Sequence, residues 1–210
     1  MTASRGKGIA KGEFTLTNKA ICERPPATGP IPQGLASTSD KFTSYKYMGD
    51  GIGYIRVEQV GLDTDRGVEE SRSAMKEAAA LLIDITDADE GDRATLAAQT
   101  PYRGRFAVLM SARTKGHAER YARDMVENIA APLYGETTAG CLSFYTDYPL
   151  PRNLGRIILS TKPERGVGKP AEFNGISPAK EILWDSEDLE NGRSTFIESA
   201  IQFMKATHKR

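Results

Sequence analysis

An α/β domain with a largely parallel sheet is predicted by two features of the sequence. Short apolar strand-like runs alternate with longer segments of helical composition, and one of those runs, Ala79-Ala80-Leu81-Leu82-Ile83-Asp84-Ile85, is apolar almost without interruption. Alternation of this kind is the signature of strands joined by crossover helices. A continuous apolar strand, rather than an alternating one, is expected where both faces of a sheet are covered.

Taken in order, Glu13–Thr17 alternates and predicts a strand within an N-terminal arm. The segment from Glu23 to Pro32 holds Pro25, Pro26, Pro30 and Pro32, whose fixed φ and missing N–H oppose regular structure, so it reads as a connector. The arm and connector are expected to span residues 1–44 and the main domain residues 45–210. Within that domain Ile52–Val57 predicts a strand and Val68–Ala80 a helix. Strands follow at Ala79–Ile85 and Phe106–Met110, then a helix over Gly116–Ile129, a short strand at Leu133-Tyr134, and another at Arg156–Ser160 after a hairpin. The closing helix spans Thr195–Ala206, with Phe196, Ile197, Ala200, Ile201 and Met204 on one face.

Composition narrows the function classes. The chain has 210 residues, with 28 Lys plus Arg against 28 Asp plus Glu. A net charge of zero gives no basic excess to drive counterion release, so nucleic acid is not an expected partner. No run is long and apolar enough for a membrane span, and Met1–Gly12 lacks a signal-peptide h-region, so a cytoplasmic location without a membrane partner is expected. Two cysteines, Cys22 and Cys141, and two histidines, His117 and His208, make neither a disulfide framework nor a closed zinc site, and no metal or other cofactor is expected. The acidic stretch Asp84, Asp87, Asp89, Glu90, Asp92 lacks the glycine and terminal glutamate of a calcium loop and reads as solvated. An arm that needs a surface on which to dock makes a homodimer plausible.

Reactive groups in α/β sheets collect at strand ends and at the starts of the following helices, where free N–H groups and the helix dipole favour negative charge. Three such junctions stand out: Asp84–Asp92, Ser111–Glu119 and Gly135–Cys141. Four motifs occur in order, Gly49-Asp50-Gly51-Ile52-Gly53-Tyr54-Ile55, Leu82-Ile83-Asp84-Ile85, Ser111-Ala112-Arg113-Thr114-Lys115-Gly116-His117-Ala118-Glu119, and Tyr134-Gly135-Glu136-Thr137-Thr138-Ala139-Gly140-Cys141. Gly175-Ile176-Ser177-Pro178 and Glu187–Arg193 follow them. Over roughly residues 45–206 this set resembles the C-terminal processing, or tail-specific, serine peptidases. The resemblance implies their crotonase/ClpP-like superhelical βαβ core. No segment resembles their PDZ domain.

The same resemblance locates three departures. The family's nucleophile is the serine of Ser-x-x-Glu at the helix start, where this chain has Gly116-His117-Ala118-Glu119. Its general base is a lysine about 25 residues downstream, where this chain has Cys141. The family's Asp-x-Arg-x-Asn-x-Gly-Gly, which supplies oxyanion-hole donors, is here Asp84-Ile85-Thr86-Asp87-Ala88-Asp89-Glu90-Gly91-Asp92, where one glycine survives and several carboxylates have entered. Loss of nucleophile and base together argues against acyl-enzyme hydrolysis. The reading that results is a degenerate fold member that binds a small apolar ligand or a peptide tail in the former active-site pocket, with Gly91, Ser111, Thr114, Gly116, Phe144 and Tyr145 as candidate lining residues.

The alternative is a repurposed enzyme, of cyclase, isomerase or lyase type, or a residual hydrolase, with His117 and Cys141 as candidate catalytic groups. His117 at a helix N-terminus suits a neutral general base, but equally an exposed first-turn residue. Cys141 as a thiolate needs a cationic neighbour such as Lys115, and is otherwise a small buried filler. Glu119 reads as structural, and Thr114 as a helix cap. Phe144, Tyr145 and Tyr148 suit either an apolar site or the core of a hairpin.

Overall fold

The computed structural model describes residues 30–61, 63–90, 105–163, 174–192 and 194–208. The expected Glu13–Thr17 strand and the start of the Pro-rich connector lie outside these residues. A seven-stranded sheet carries the fold. Its strands are β1 (Ala36–Ser37), β2 (Thr43–Gly49), β3 (Ile52–Val57), β5 (Ala80–Asp84), β7 (Arg105–Met110), β8 (Leu133–Gly135) and β11 (Lys180–Glu181), hydrogen-bonded in that order. β1, β2 and β3 are antiparallel neighbours, and from β3 onward every pairing is parallel. The sheet therefore takes in residues 36–37 and 43–44, on the arm side of the expected boundary.

Two smaller ribbons complete the strands: β4 (Gln59–Val60) parallel to β6 (Asp89–Glu90), and the antiparallel hairpin of β9 (Ser143–Pro149) and β10 (Arg156–Pro163). The helices are α1 (Thr64–Ala74), α2 (His117–Ile129), the short α3 (Ser186–Glu190) and α4 (Thr195–His208). None of the described helices is long and apolar enough to cross a membrane.

Every residue of β3 and β5 is buried, as continuous apolar runs require when helices cover both faces. Alternation along these strands feeds two separate cores. Ile55, Leu81, Ile83 and Val108 pack with Ala118, Tyr121 and Ala122 of α2 on one face. Tyr54, Leu82, Ala107 and Leu109 pack with Phe196, Ile197, Ala200 and Met204 of α4 on the other. The helix expected over Val68–Ala80 spans Thr64–Ala74 instead; it ends earlier because Ala80 is drawn into β5 and the chain turns after Met75.

α1 sits on the turn before β2, and Gly67 is what lets it approach. A Cβ there would lie 2.3 Å from Asp40 Oδ2 and 2.5 Å from Thr43 Oγ1. The Asp40 carboxylate accepts from Thr38 Oγ1 (2.5 Å), Thr43 Oγ1 (2.6 Å) and the N–H groups of Phe42 (3.1 Å) and Thr43 (2.9 Å). Burial pushes this carboxyl up, but the hydrogen bonds outweigh it and hold it below its ordinary value of 3.8. A lowered native value stabilises the fold above the ordinary value and loses that contribution as pH falls through the native one. Asp40→Asn is accordingly expected to lower Tm at neutral pH. The gap to the parent protein should shrink as pH falls below about 4, measured by thermal denaturation across an acid pH series.

Candidate functional site

Three loops meet at the carboxyl edge of the parallel sheet, after β5, β7 and β8, where open α/β sheets place their ligands. They are stitched together by side chains that bond to main chain. Ser111 Oγ donates to the carbonyl of Thr86 (2.8 Å), and Thr114 Oγ1 donates to the carbonyl of Ile85 (3.0 Å) while accepting from the N–H of Ser111 (3.0 Å). Both hydroxyls are fully buried. Thr114 thus ties two loops together instead of capping a helix, and the N-cap of α2 is Gly116. Ser111 and Thr114 are spent on structure, and neither presents its hydroxyl at the surface.

Gly116 has φ 57° and ψ −123°. At positive φ a side chain meets the backbone, so glycine is the residue that adopts this turn without strain. Some hydrolases expose a nucleophile on a sharp, strained turn from strand to helix; the turn here carries a glycine and no hydroxyl. His117 follows as the first residue of α2, half-buried.

Glu119, one turn into α2, is fully buried and collects four hydrogen bonds. It accepts from the N–H groups of Gly116 (3.1 Å), Gly140 (2.7 Å) and Cys141 (2.8 Å), and from Thr138 Oγ1. The Gly116 bond is the reciprocal half of a capping box. Burial pushes the Glu119 carboxyl up, against the four hydrogen bonds that pull it down. Thr138 Oγ1 in turn accepts from the N–H of Ile176 (2.8 Å), so one carboxylate secures the elbow, the loop after β8 and the Gly175 turn. Gly175, at φ 68°, passes close under this loop; a Cβ there would lie 2.3 Å from the carbonyl oxygen of Thr138.

Cys141 is buried, and its sulfur is held in a disulfide. The thiolate that a catalytic role demands is absent in this state. Cys22, the only other cysteine in the chain, and Gly91 lie outside the described residues. The side chains of Phe144 and Tyr145 are also outside them, although their backbone belongs to β9. Of the candidate site residues, Gly116, His117, Ser111, Thr114 and Cys141 share one edge of the sheet.

The acidic stretch differs from its expected solvated state at its two described inward-facing members. Asp84 is buried; its Oδ1 accepts from the N–H (2.9 Å) and Oγ1 (2.7 Å) of Thr86, and its Oδ2 from the hydroxyl of Tyr54. Arg56 lies 3.6 Å from Asp84 and 3.1 Å from Asp87, and Arg113 lies 3.0 Å from Asp87. Buried charges survive when paired in this way. The missed clue was Arg56 itself, a charged residue within the otherwise apolar or neutral run Ile52–Val57.

No family model matches the chain, and no curated protein does. Solved structures do. Mature CPAF, in complex with lactacystin, is similar over 92% of this chain and 60% of its own, at 12% identity and a TM-score of 0.65. A candidate peptidase from Parabacteroides merdae is similar over 81% of this chain and 65% of its own, at 18% identity and a TM-score of 0.61. The tricorn protease matches 76% of this chain with 18% of its own, at 17% identity and a TM-score of 0.56. The chain thus spans less than two thirds of the length of each of these structures. At these identities what is shared is the fold: a mixed α/β core with a mostly parallel sheet, that of the C-terminal processing peptidases.

Proposed function

We propose that this protein uses the peptidase-like fold to bind a small apolar molecule or a peptide tail at the former active-site edge, without hydrolysing it. The observation that carries this reading is Gly116. The turn into α2 has a positive φ and is tethered to Glu119, yet no hydroxyl occupies it. Without a nucleophile there is no acyl-enzyme, whatever the binding surface nearby retains. The sulfur of Cys141, where the family's base stands, supports the same reading because it is in a disulfide.

Incubation with a fluorophosphonate probe, an iodoacetamide probe and unstructured peptides is expected to give no active-site labelling and no cleavage. Apolar ligands or peptide tails should meanwhile raise Tm by mass action. Cleavage that disappears in His117→Ala would overturn the proposal and make the edge a catalytic site.

A further inference from the structure

Asn174-Gly175 and Asn191-Gly192 are the two Asn-Gly pairs in the chain. This dipeptide is chemically labile because glycine, lacking a Cβ, lets its backbone nitrogen swing toward the preceding side-chain amide. Whether it reacts in a folded protein depends on how freely the main chain turns at that bond. Both glycines have φ 68°, so backbone conformation does not distinguish them; their surroundings do.

Gly175 is half-buried against the loop after β8, and Ile176 beside it is bonded to Thr138 in both directions. The Ile176 N–H donates to Thr138 Oγ1 at 2.8 Å, and its carbonyl accepts from the Thr138 N–H at 3.2 Å. Turning the Asn174–Gly175 bond would pull Ile176 away from Thr138, which is itself bonded to the buried Glu119. Asn191 and Gly192 instead form an exposed turn between α3 and α4. A Cβ on Gly192 would meet nothing within 4 Å, and its N–H makes no hydrogen bond among the described residues. Asn191 is held by the Glu187 carbonyl, which accepts from its N–H at 3.1 Å and from its Nδ2 at 2.8 Å. Those bonds close the last turn of a five-residue helix in solvent, where local opening costs least.

We propose that Asn191 is a spontaneous modification site of the folded protein, while the bonds from Thr138 protect Asn174. The Gly192 nitrogen adds to Asn191 Cγ; the Cγ–Nδ2 bond breaks, and ammonia leaves carrying the proton that the Gly192 nitrogen gives up. The product is a cyclic imide. Water then opens it at Cγ to give aspartate, or at the main-chain carbonyl carbon of Asn191 to give isoaspartate, in which the chain runs through the former side chain. No electrons are exchanged with a second reagent. Either product loses the Nδ2 donor that meets the Glu187 carbonyl and gains a carboxylate next to Glu190, so the end of α3 loses a bond and takes on repulsion.

The full chain is incubated in mildly alkaline buffer well below its Tm, beside a sample unfolded in urea. Trypsin then cuts after Lys180 and puts the two pairs on separate peptides, whose conversion is followed by mass spectrometry. In the folded protein Asn191 is expected to convert about tenfold or more faster than Asn174, and in urea the two rates should come within about threefold, because opening is then free at both. Isoaspartyl methyltransferase with a labelled methyl donor should label the peptide after Lys180 from the folded sample and leave that of Asn191→Gln unlabelled. Asn174 converting as fast as Asn191 in the folded protein, Asn191 converting only in urea, or labelling that survives Asn191→Gln would overturn the proposal. Each of these results leaves the non-proteolytic reading standing, since that is decided by the hydrolase probes.

Discussion

Glu119→Ala is expected to lower the unfolding free energy by about 3–6 kcal/mol, read from urea denaturation with an unchanged m-value. The size follows from what the carboxylate leaves behind. Three backbone N–H groups, those of Gly116, Gly140 and Cys141, lose their acceptor in a site closed to water, and the Thr138 hydroxyl loses its own. Each orphaned buried group costs about 1–3 kcal/mol, and relaxation of the loop recovers part of the sum. Glu119→Gln keeps the volume and one acceptor oxygen but turns an amide N–H₂ toward donors, so an intermediate loss is expected. Amide hydrogen exchange separates this clamp from a general loss of packing. The N–H groups of Gly140 and Cys141 should exchange faster in Glu119→Gln while those of β5 keep their protection. A loss below about 1 kcal/mol in Glu119→Ala would mean that the loop after β8 is held by something other than this carboxylate.

What the sequence made legible and what it did not divide along a physical line. Strands β3, β5 and β7 were readable because a strand covered on both faces must be apolar throughout, and that pattern is local. α1 ends earlier than expected because Ala78, Ala79 and Ala80, though good helix formers, are taken toward the sheet, where the pairing of Ala80 with Ile52 and Arg105 overrides that preference. The two-residue strands β1, β4, β6 and β11 exist only through their partners, and no local pattern announces them. Gly116 was legible as a departure from the Ser-x-x-Glu motif, although its elbow geometry was not, since φ and ψ depend on how the loops are stitched. Asp84 and Asp87 read as solvated because the residues that neutralise them, Arg56 and Arg113, lie far away in the chain. Yet a lone arginine in a strand that is otherwise apolar or neutral already demands a buried counter-ion, and Arg56 was the residue from which the network could have been anticipated.

That network supports the second large effect. Asp84→Ala is expected to cost about 3–5 kcal/mol, because removing one member of a buried ion pair leaves the other uncompensated. Arg56 would keep Asp87, at 3.1 Å, but lose the carboxylate directly across the strand pair, and the Tyr54 hydroxyl would be stranded in the α4 core. Tyr54→Phe is the gentler probe: it removes a donor while Asp84 keeps Thr86 and Arg56, and about 1–2 kcal/mol is expected. The double variant should cost less than the two changes added together, by about 1 kcal/mol or more, since with Tyr54→Phe in place there is no hydroxyl to strand once Asp84 is gone. Additivity instead would mean that the Tyr54–Asp84 bond carries no weight of its own. Burial and the Asp84 charge together push the Tyr54 phenol well above its ordinary value, so it remains a donor throughout the range in which the protein folds. Its absorbance should therefore show no phenolate before alkaline unfolding; a Tyr54 signal titrating near pH 10, absent in Tyr54→Phe, would place the hydroxyl in water and remove the basis for the coupling.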